Sequence, residues 1–462
     1  HAVYLKLLEK LEELPLELVA EILRLSEDLD WKGELPFRWS LQKMLHQGIQ
    51  PKRVIGEAGA LLYELGKPEK TKPLVPQEVI KPLDAELLAE ALQPGGEFDK
   101  HFPEFEHRSQ QVQMLQAVAQ ALSEGKHLMV EAGTGIGKSL AYLIPAAYWA
   151  LQNGERVVIS TNTIALQDQL IHKDIPDMMT ALNLQINASV LKGRSNYLCP
   201  RRLTLMRRRK LENVDELRVL AKVLVWLQSS TSGDRNEINL NGSAENLVWS
   251  RLSAEDEGCK LEVCLKRTGG RCPFYKARMA AESAHILVVN HALLLADTAA
   301  ENRILPEYNY LIVDEAHHLE SATTDAMSFR LRAPDVTRLV REIGSTEQGI
   351  LGQLLSLAKP LLKPSDLSAL TMAIEHATDQ AFRLDNAMTA YFKALDFVLE
   401  ELREGKPLGT YPQQARILPA TRTLPCWLDV EIAWEQAKAN LEALLEALKT
   451  VREILRALAE AD

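Results

Sequence analysis

The stretch Ala132-Gly-Thr-Gly-Ile-Gly-Lys138-Ser139 lies between two apolar runs, and the order of these three pieces decides the fold. The run before it, His127–Glu131, predicts a strand, and the run after it, Leu140–Leu151, predicts a helix. A glycine loop between a strand and a helix is typical of a P-loop, in which backbone N–H groups and the helix N-terminus surround phosphate oxygens. The alternative interpretation is a glycine-rich turn with an incidental Lys-Ser pair.

Within a P-loop, Lys138 would contact the β- and γ-phosphates of ATP and the Ser139 hydroxyl would ligate Mg²⁺. The loop residues predicted to bind ATP are Gly133, Thr134, Gly135, Gly137, Lys138 and Ser139. A second motif, Tyr310-Leu-Ile-Val-Asp314-Glu315-Ala-His317, begins as an apolar strand and ends in two acids. An Asp at the carboxyl end of a strand is suited to hold Mg²⁺, and the adjacent Glu is suited to deprotonate the attacking water. Lys138, Asp314 and Glu315 are therefore the predicted catalytic residues.

Two further apolar runs, Arg156–Thr161 and His285–Asn290, predict strands of the same kind. Strands that alternate with helices indicate a parallel sheet, so we predict the α/β class. The segments 101–190 and 275–325 form this α/β part, and the polar segment 191–274 interrupts it as an insertion. Residues 1–30 read as a helical tail, the proline-rich region 31–100 as a linker, and 326–462 as an all-helical domain.

Composition excludes several classes of protein. The chain has 462 residues, 46% of them apolar and 25% charged, which indicates a globular protein of roughly three domains. The longest apolar stretch is about twelve residues and contains Pro145, too short to cross a bilayer. The net charge is −10, so any nucleic-acid surface must be local. Five cysteines and no signal peptide predict a reducing, cytoplasmic setting.

The sequence Asp-Glu-Ala-His at 314–317 resembles the box of superfamily-two nucleic-acid motors. Arg108-Ser-Gln-Gln111 resembles the adenine-recognition segment of that family, and Ile159-Ser-Thr161-Asn162-Thr163 resembles its motif for the nucleic-acid backbone. Val288-Val-Asn290-His291 resembles the bacterial DinG-type, XPD-like iron–sulfur helicases. The resemblance implies a first RecA-like domain at 101–190 and 275–325, an iron–sulfur module at 191–274 and an Arch-like domain at 326–462. It also implies ATP contacts by Arg108 and Gln111, and DNA contacts by Thr161 and Asn162.

Four of the five cysteines fall within the insertion and at its edges: Cys199, Cys259, Cys264 and Cys272. Four thiolates can enclose a [4Fe–4S] cluster or a Zn²⁺ ion, and the bland alternative is four unrelated thiols. Zinc ribbons usually supply ligands in pairs separated by two residues, and this spacing is wider. We therefore predict an iron–sulfur cluster, with Cys426 outside it.

Eight Lys and Arg residues occupy the nineteen positions from 192 to 210, next to the first predicted cluster ligand. Such a local basic stretch attracts phosphates, and the alternative is a solvated helical face. The residues predicted to contact DNA here are Arg201, Arg202, Arg207, Arg208 and Arg209.

We predict an ATP-dependent DNA helicase with ATP, Mg²⁺ and a [4Fe–4S] cluster as cofactors. The resemblance implies 5′-to-3′ movement on single-stranded DNA, and residues 1–30 resemble the end of an exonuclease-like domain. We expect single-stranded or forked DNA as the partner and a monomeric protein. Because the chain begins at His1 and shows no second RecA-like pattern, we expect an excised piece that is incomplete as a motor. The alternatives are a nucleotide-gated nucleic-acid-binding module without unwinding activity, and an RNA helicase.

Overall fold

A computed structural model describes the chain in two compact units, 1–327 and 328–462. The described residues are 2–49, 65, 72–133, 135–230, 232–255, 259, 264, 268, 270–403 and 415–460. The first unit is an α/β structure with a parallel four-stranded sheet, as the sequence predicts. The described residues of the second unit are helical. Nowhere in these described ranges does a helix combine the length and apolar character needed to cross a membrane.

The strands are β1 (Val157–Thr161), β2 (Ala188–Val190), β3 (Ile286–Asn290) and β4 (Tyr310–Val313), in the spatial order β2-β3-β1-β4. In the register, Val157 is opposite both Ile286 and Tyr310. Strand β1 is buried along its whole length because β3 and β4 flank it and helices cover both faces. Three predicted strands are thereby confirmed to within a residue, and the three-residue β2 was not predicted.

The helices of the first unit are short, and most of them cover the sheet or build the insertion. They are α1 (Ala2–Glu12), α2 (Leu16–Ser26), α3 (Glu34–His46), α4 (Ala85–Ala89), α5 (Glu97–His101), α6 (Ser109–Glu124), α7 (Lys138–Asn153), α8 (Ile164–Gln169), α9 (Ile175–Ala181), α10 (Pro200–Arg208), α11 (Val214–Trp226), α12 (Gly242–Leu252), α13 (Pro273–Glu282), α14 (His291–Ala299) and α15 (Leu319–Ala326). A π-helical turn, Leu170–Asp174, joins α8 to α9.

The predicted strand His127–Glu131 is wrong, because this segment makes no ladder with any described residue. Its side chains Leu128, Met129 and Val130 are exposed, Met129 by 97%. The apolar pattern favours an extended backbone, yet a strand forms only where a neighbouring backbone supplies hydrogen-bond partners. Among the described residues, β4 pairs only with β1, so it is an edge strand of the sheet.

The predicted linker 31–100 is also wrong in part, because it contains α3, α4 and most of α5. Leu88, Leu92 and Phe98 pack into the main core beside the sheet. The proline spacing predicts an extended chain. In the structure the prolines separate short helices, and apolar side chains of these helices are buried in the core. The Pro-rich composition therefore marks breaks between helices in this region.

Helix α2 packs against the insertion. Leu18 and Ile22 of α2 share one apolar cluster with Leu217, Leu220 and Leu224 of α11. The predicted tail 1–30 and the predicted insertion 191–274 thus have a common core.

A buried ion pair lies in this shared core. The Arg207 Nε lies 3.0 Å from Glu21 Oε1, with both side chains at most 3% exposed. Arg24 bonds Glu21 as well, and its guanidinium donates to the Arg207 carbonyl at 2.8 Å. Burial alone would raise the pKa of Glu21, but the bonds and charges of Arg24 and Arg207 outweigh burial and lower it.

The second unit consists of α16 (Ala333–Ile343), α17 (Gly349–Ala358), α18 (Pro364–Leu402) and α19 (Trp427–Glu460). The two long helices pack along each other through small and branched side chains such as Ile374, Ala377 and Val451. Helix α16 ends before Gly344, whose φ of +80° is a left-handed conformation that favours glycine.

Removal of the Arg207 side chain tests the buried ion pair. We expect Arg207→Ala to lower the free energy of unfolding by about 3 kcal/mol, because it leaves the Glu21 carboxylate buried with only Arg24 beside it. The neighbouring exposed residue gives the matched control, Arg208→Ala, which should change it by at most about 0.5 kcal/mol. Chemical denaturation measures both values. Equal stability of the two variants would contradict a structural role for the pair.

Candidate nucleotide-binding site

Helix α7 begins at Lys138, and its N-cap Gly137 has φ +84°. A Cβ at Gly137 would lie 2.3 Å from Gln111 Nε2, so this position requires glycine for both its backbone and its close neighbour. The Gln111 amide donates to the Gly137 carbonyl at 2.9 Å, and the Arg108 guanidinium donates to the Gly135 carbonyl. The structure therefore places the segment predicted to recognise adenine against the glycine loop. The predicted ligand Thr134 lies outside the described residues.

The first residue of α7 meets the end of β4 across the site. The Lys138 Nζ lies 2.9 Å from Glu315 Oε1, and the side chains are about a quarter exposed, 27% and 28%. Hydrogen bonding by Lys138 lowers the pKa of Glu315, and the same bond raises the pKa of Lys138. The predicted phosphate-binding cation and the predicted base thus neutralise each other, so a nucleotide phosphate would compete with Glu315 for Lys138.

Asp314 is held at both carboxylate oxygens. Its Oδ1 accepts the Glu315 backbone N–H at 2.9 Å, and its Oδ2 accepts the Tyr142 hydroxyl at 3.1 Å. Burial, with Asp314 next to it, raises the pKa of Tyr142 well above its ordinary value, so the hydroxyl stays a donor. No sequence motif marks Tyr142 as a site residue, although its position four residues after Lys138 places it on the same face of α7.

Ser139, the other predicted magnesium ligand, lies beside Tyr142 and Asp174. Burial raises the pKa of Asp174, and its hydrogen bonds with Ser139 and Gln169 oppose that rise. Asp174 closes the π-helical turn between α8 and α9, and no sequence motif singled it out. Ser139 and Asp314 offer a hydroxyl and a carboxylate, a donor set that fits Mg²⁺. ATP and Mg²⁺ therefore suit the residues that the structure brings together.

The predicted DNA contacts at the end of β1 differ in accessibility. The Thr161 side chain is fully buried, because β1 is an inner strand of the sheet. Asn162, one residue further along the chain, is half-buried. The Ser160 hydroxyl bonds His291 at 2.8 Å, and the Ser160 carbonyl accepts the Asp314 N–H at 2.8 Å.

The four cysteines of the insertion influence one another. Cys199, Cys264 and Cys272 are buried, and Cys259 is half-buried. Burial raises the pKa of Cys264 to about 11, and Cys259, Cys272 and Cys199 contribute to the rise. Among the described residues, no group of three or more His, Cys, Asp or Glu is arranged as a metal site. The thiols are thus neighbours without the tight geometry of a closed metal centre.

Two of these cysteines precede prolines at helix starts. Cys199 is the N-cap of α10 and Cys272 is the N-cap of α13. Burial raises the pKa of Cys272, and the backbone N–H groups of Tyr275 and Phe274 oppose the rise. Helix N-termini of this kind favour an anionic sulfur once a cation is present nearby.

The basic stretch does not form one surface. The predicted DNA contact Arg207 is wrong, because this side chain is 1% exposed and bonded to Glu21. Arg209 is 2.6 Å from Glu216, and Arg202 donates to the Ser250 carbonyl at 3.0 Å. Arg208 is exposed and Arg201 is half-buried. Helical periodicity explains the mixture, since successive arginines of α10 point in different directions.

Residues 110–213 match the sequence model of the DEAD/DEAH box helicase family, and residues 239–336 match the model described as DEAD_2. A 3'-5' exonuclease DinG of Bacillus subtilis is 30% identical over 371 residues, which is 79% of this chain and 38% of that protein. An ATP-dependent helicase DinG of Mycobacterium tuberculosis is 37% identical over 254 residues, 51% of this chain and 38% of that protein. An ATP-dependent DNA helicase YoaA of Escherichia coli is 35% identical over 264 residues, 54% of this chain and 39% of that protein.

The chain thus spans under two fifths of the length of these curated relatives. The family match and the relatives support an enzyme of the ATP-dependent helicase type, similar to the DinG and YoaA helicases. Both motifs of the candidate site, Lys138-Ser139 and Asp314-Glu315, lie inside the matched regions.

Substitution of the two paired residues should separate nucleotide binding from base function. We expect Lys138→Ala to weaken Mg·ATP binding at least about tenfold, because it removes a charged phosphate contact worth about 1.5–3 kcal/mol. Glu315→Gln should bind Mg·ATP at least as tightly as the unaltered chain, because it releases Lys138 from the ion pair. Equilibrium titration with a fluorescent ATP analogue measures both.

Lys126→Ala is the matched control, since Lys126 is exposed and pairs only locally with Glu124. Unchanged binding by Lys138→Ala, or equally weak binding by both site variants, would contradict the assigned roles.

Proposed function

We propose that this chain is part of an ATP-dependent DNA helicase that couples ATP hydrolysis to movement on single-stranded DNA. One observation carries the proposal: the start of α7 and the end of β4 bring Lys138, Ser139, Asp314 and Glu315 to one edge of a parallel sheet. Ligands of α/β proteins bind at this edge, beyond the carboxyl ends of the strands. The DinG and YoaA helicases to which the chain is similar support the choice of DNA.

In the proposed reaction, Lys138 leaves Glu315 and contacts the β- and γ-phosphates. Glu315 then has a free carboxylate, which orients the attacking water and accepts its proton. Ser139 and Asp314 would hold Mg²⁺, which would neutralise charge on the phosphates. Arg108 and Gln111, bonded to the glycine loop, would hold the adenine side. The ion pair thus keeps the base occupied until nucleotide arrives.

A direct path of bonds connects the ATP site to the end of β1. Asp314 donates its backbone N–H to Ser160, and the Ser160 hydroxyl bonds His291. Asn162 follows two residues later at the same edge of the sheet. A shift of Asp314 and Glu315 on nucleotide binding would therefore act on the residue proposed to contact DNA. The family resemblance favours movement in the 5′-to-3′ direction. The proposed protein is a monomer that acts on single-stranded or forked DNA.

We also propose that Cys199, Cys259, Cys264 and Cys272 hold a [4Fe–4S] cluster. Burial and the neighbouring cysteines raise the pKa of Cys264 and of Cys272, so these two thiols would not ionise readily unless positive charge compensated them. Iron supplies such charge, and thiolates are the ligands of iron–sulfur clusters. The helix N-termini at Cys199 and Cys272 would stabilise the anionic sulfurs further. Residues 191–274 would then be an iron–sulfur module and 326–462 an Arch-like domain.

Hydrolysis assays with different nucleic acids test the proposed function against the two sequence-based alternatives. We expect single-stranded DNA to stimulate ATP hydrolysis by the chain more strongly than RNA of matched length. Stronger stimulation by RNA would indicate an RNA helicase. Nucleotide-dependent DNA binding without stimulated hydrolysis, both in this chain and when a second RecA-like domain is supplied, would indicate a gated binding module.

Anaerobic purification tests the cluster. We expect brown protein with a broad absorbance near about 400 nm, typical of thiolate-ligated iron–sulfur clusters. Serine at any of the four proposed ligands should abolish the colour, because an incomplete thiolate set cannot hold the cluster. The matched control Cys426→Ser should retain it, since Cys426 lies in the other unit. Colourless protein with stoichiometric zinc would overturn the iron–sulfur assignment.

Charge removal at Arg208 tests the proposed DNA surface. We expect Arg208→Gln to weaken binding of all single-stranded sequences alike and to reduce the slope of log K against log salt by about 0.7, the value for one lost phosphate contact. Arg218→Gln is the matched control, an exposed arginine on α11 that pairs locally with Asp215. Identical salt slopes for both variants would assign Arg208 to a solvated face.

A further inference from the structure

We propose that Tyr142 and Asp174 are positioning residues that orient the two magnesium ligands Asp314 and Ser139. The inference rests on the proposed function, since it assigns a role to partners of the same site. Neither residue belongs to a motif of the sequence analysis, and neither has a part in the reaction steps described above.

Tyr142 fixes the orientation of the Asp314 carboxylate. Its side chain is 2% exposed on α7, one turn after Lys138, and its hydroxyl reaches Oδ2 at 3.1 Å. The other oxygen, Oδ1, accepts the Glu315 N–H. With a donor on each oxygen, the carboxylate plane cannot rotate freely, and the lone pairs that remain point to defined places.

Asp174 acts in the same way on Ser139. It is a half-buried acceptor that the Ser139 hydroxyl contacts, and Gln169 Nε2 donates to its Oδ2 at 3.2 Å. A hydroxyl that donates its proton to Asp174 presents its oxygen lone pairs to a cation. The π-helical turn Leu170–Asp174 brings Asp174 to this position, and π-helical turns occur frequently at functional sites.

The Tyr142–Asp314 contact and the Asp174–Ser139 contact are linked, because Tyr142 also lies beside Ser139. Asp174, Ser139, Tyr142 and Asp314 therefore form one connected set of polar groups, contributed by the π-helical turn, by α7 and by the residue that follows β4. Groups that orient the ligands of a metal ion typically contribute 10–100-fold to its affinity. A purely packing role for Tyr142 would require the ring alone, so removal of the hydroxyl separates the two roles.

Nucleotide titrations at a series of Mg²⁺ concentrations test the proposal with Tyr142→Phe. We expect the Mg²⁺ concentration for half-maximal binding of a fluorescent ATP analogue to rise about tenfold, while its binding in excess chelator stays unchanged. Asp174→Asn should raise the Mg²⁺ requirement in the same direction. Tyr148→Phe, on the same helix but outside this set, should match the unaltered chain.

Unaltered Mg²⁺ dependence in Tyr142→Phe, with the fold intact by circular dichroism, would overturn the proposal. If Tyr142→Phe does not fold, Asp174→Asn decides, and an unaltered Mg²⁺ requirement there has the same meaning. Absence of Mg²⁺-dependent nucleotide binding in the unaltered chain would instead contradict the proposed function, so the two failures are distinguishable.

Discussion

The ion pair between Lys138 and Glu315 joins the two ends of the nucleotide site, and the remaining geometry depends on it. It connects the first residue of α7 to a residue just beyond the end of β4 at 2.9 Å, although 177 positions separate Lys138 from Glu315 in the chain. The pair exists because parallel strands place their carboxyl ends at one edge, where the helix that follows the glycine loop also starts. The proposed exchange of Glu315 for a phosphate would turn this static contact into a switch.

Some of the Lys and Arg side chains between 192 and 210 form buried ion pairs, and others are exposed to solvent. Lys192 is 2% exposed and lies between Asp168 at 3.2 Å and Asp234 at 2.7 Å, which ties the insertion to α8 of the α/β part. Arg207 ties the insertion to α2 through Glu21. Removal of one partner from such a buried pair is destabilising, because the other charge stays buried without compensation. The two pairs therefore hold the insertion against α8 and α2. Only the exposed remainder of the stretch, with Arg208 in it, can meet phosphates.

Three strands of the sheet could be predicted from the sequence, because buried parallel strands are short apolar runs. Asp314 marks the end of β4. The failures have physical causes. His127–Glu131 has the composition of a strand, but pairing depends on a neighbouring backbone that composition does not report. The burial of Thr161 and Arg207 is set by long-range packing, and Tyr142 joins the site through a tertiary hydrogen bond that no local pattern encodes.

We propose that nucleotide binding at Lys138 and Glu315 is coupled to DNA binding at the same edge of the sheet. Titration of the chain with Mg²⁺ and a non-hydrolysable ATP analogue, with and without single-stranded DNA, tests it most directly. We expect DNA to change the nucleotide affinity about fivefold or more, and nucleotide to change the DNA affinity by the same factor. Two affinities that are independent of each other, or the absence of saturable nucleotide binding, would contradict it.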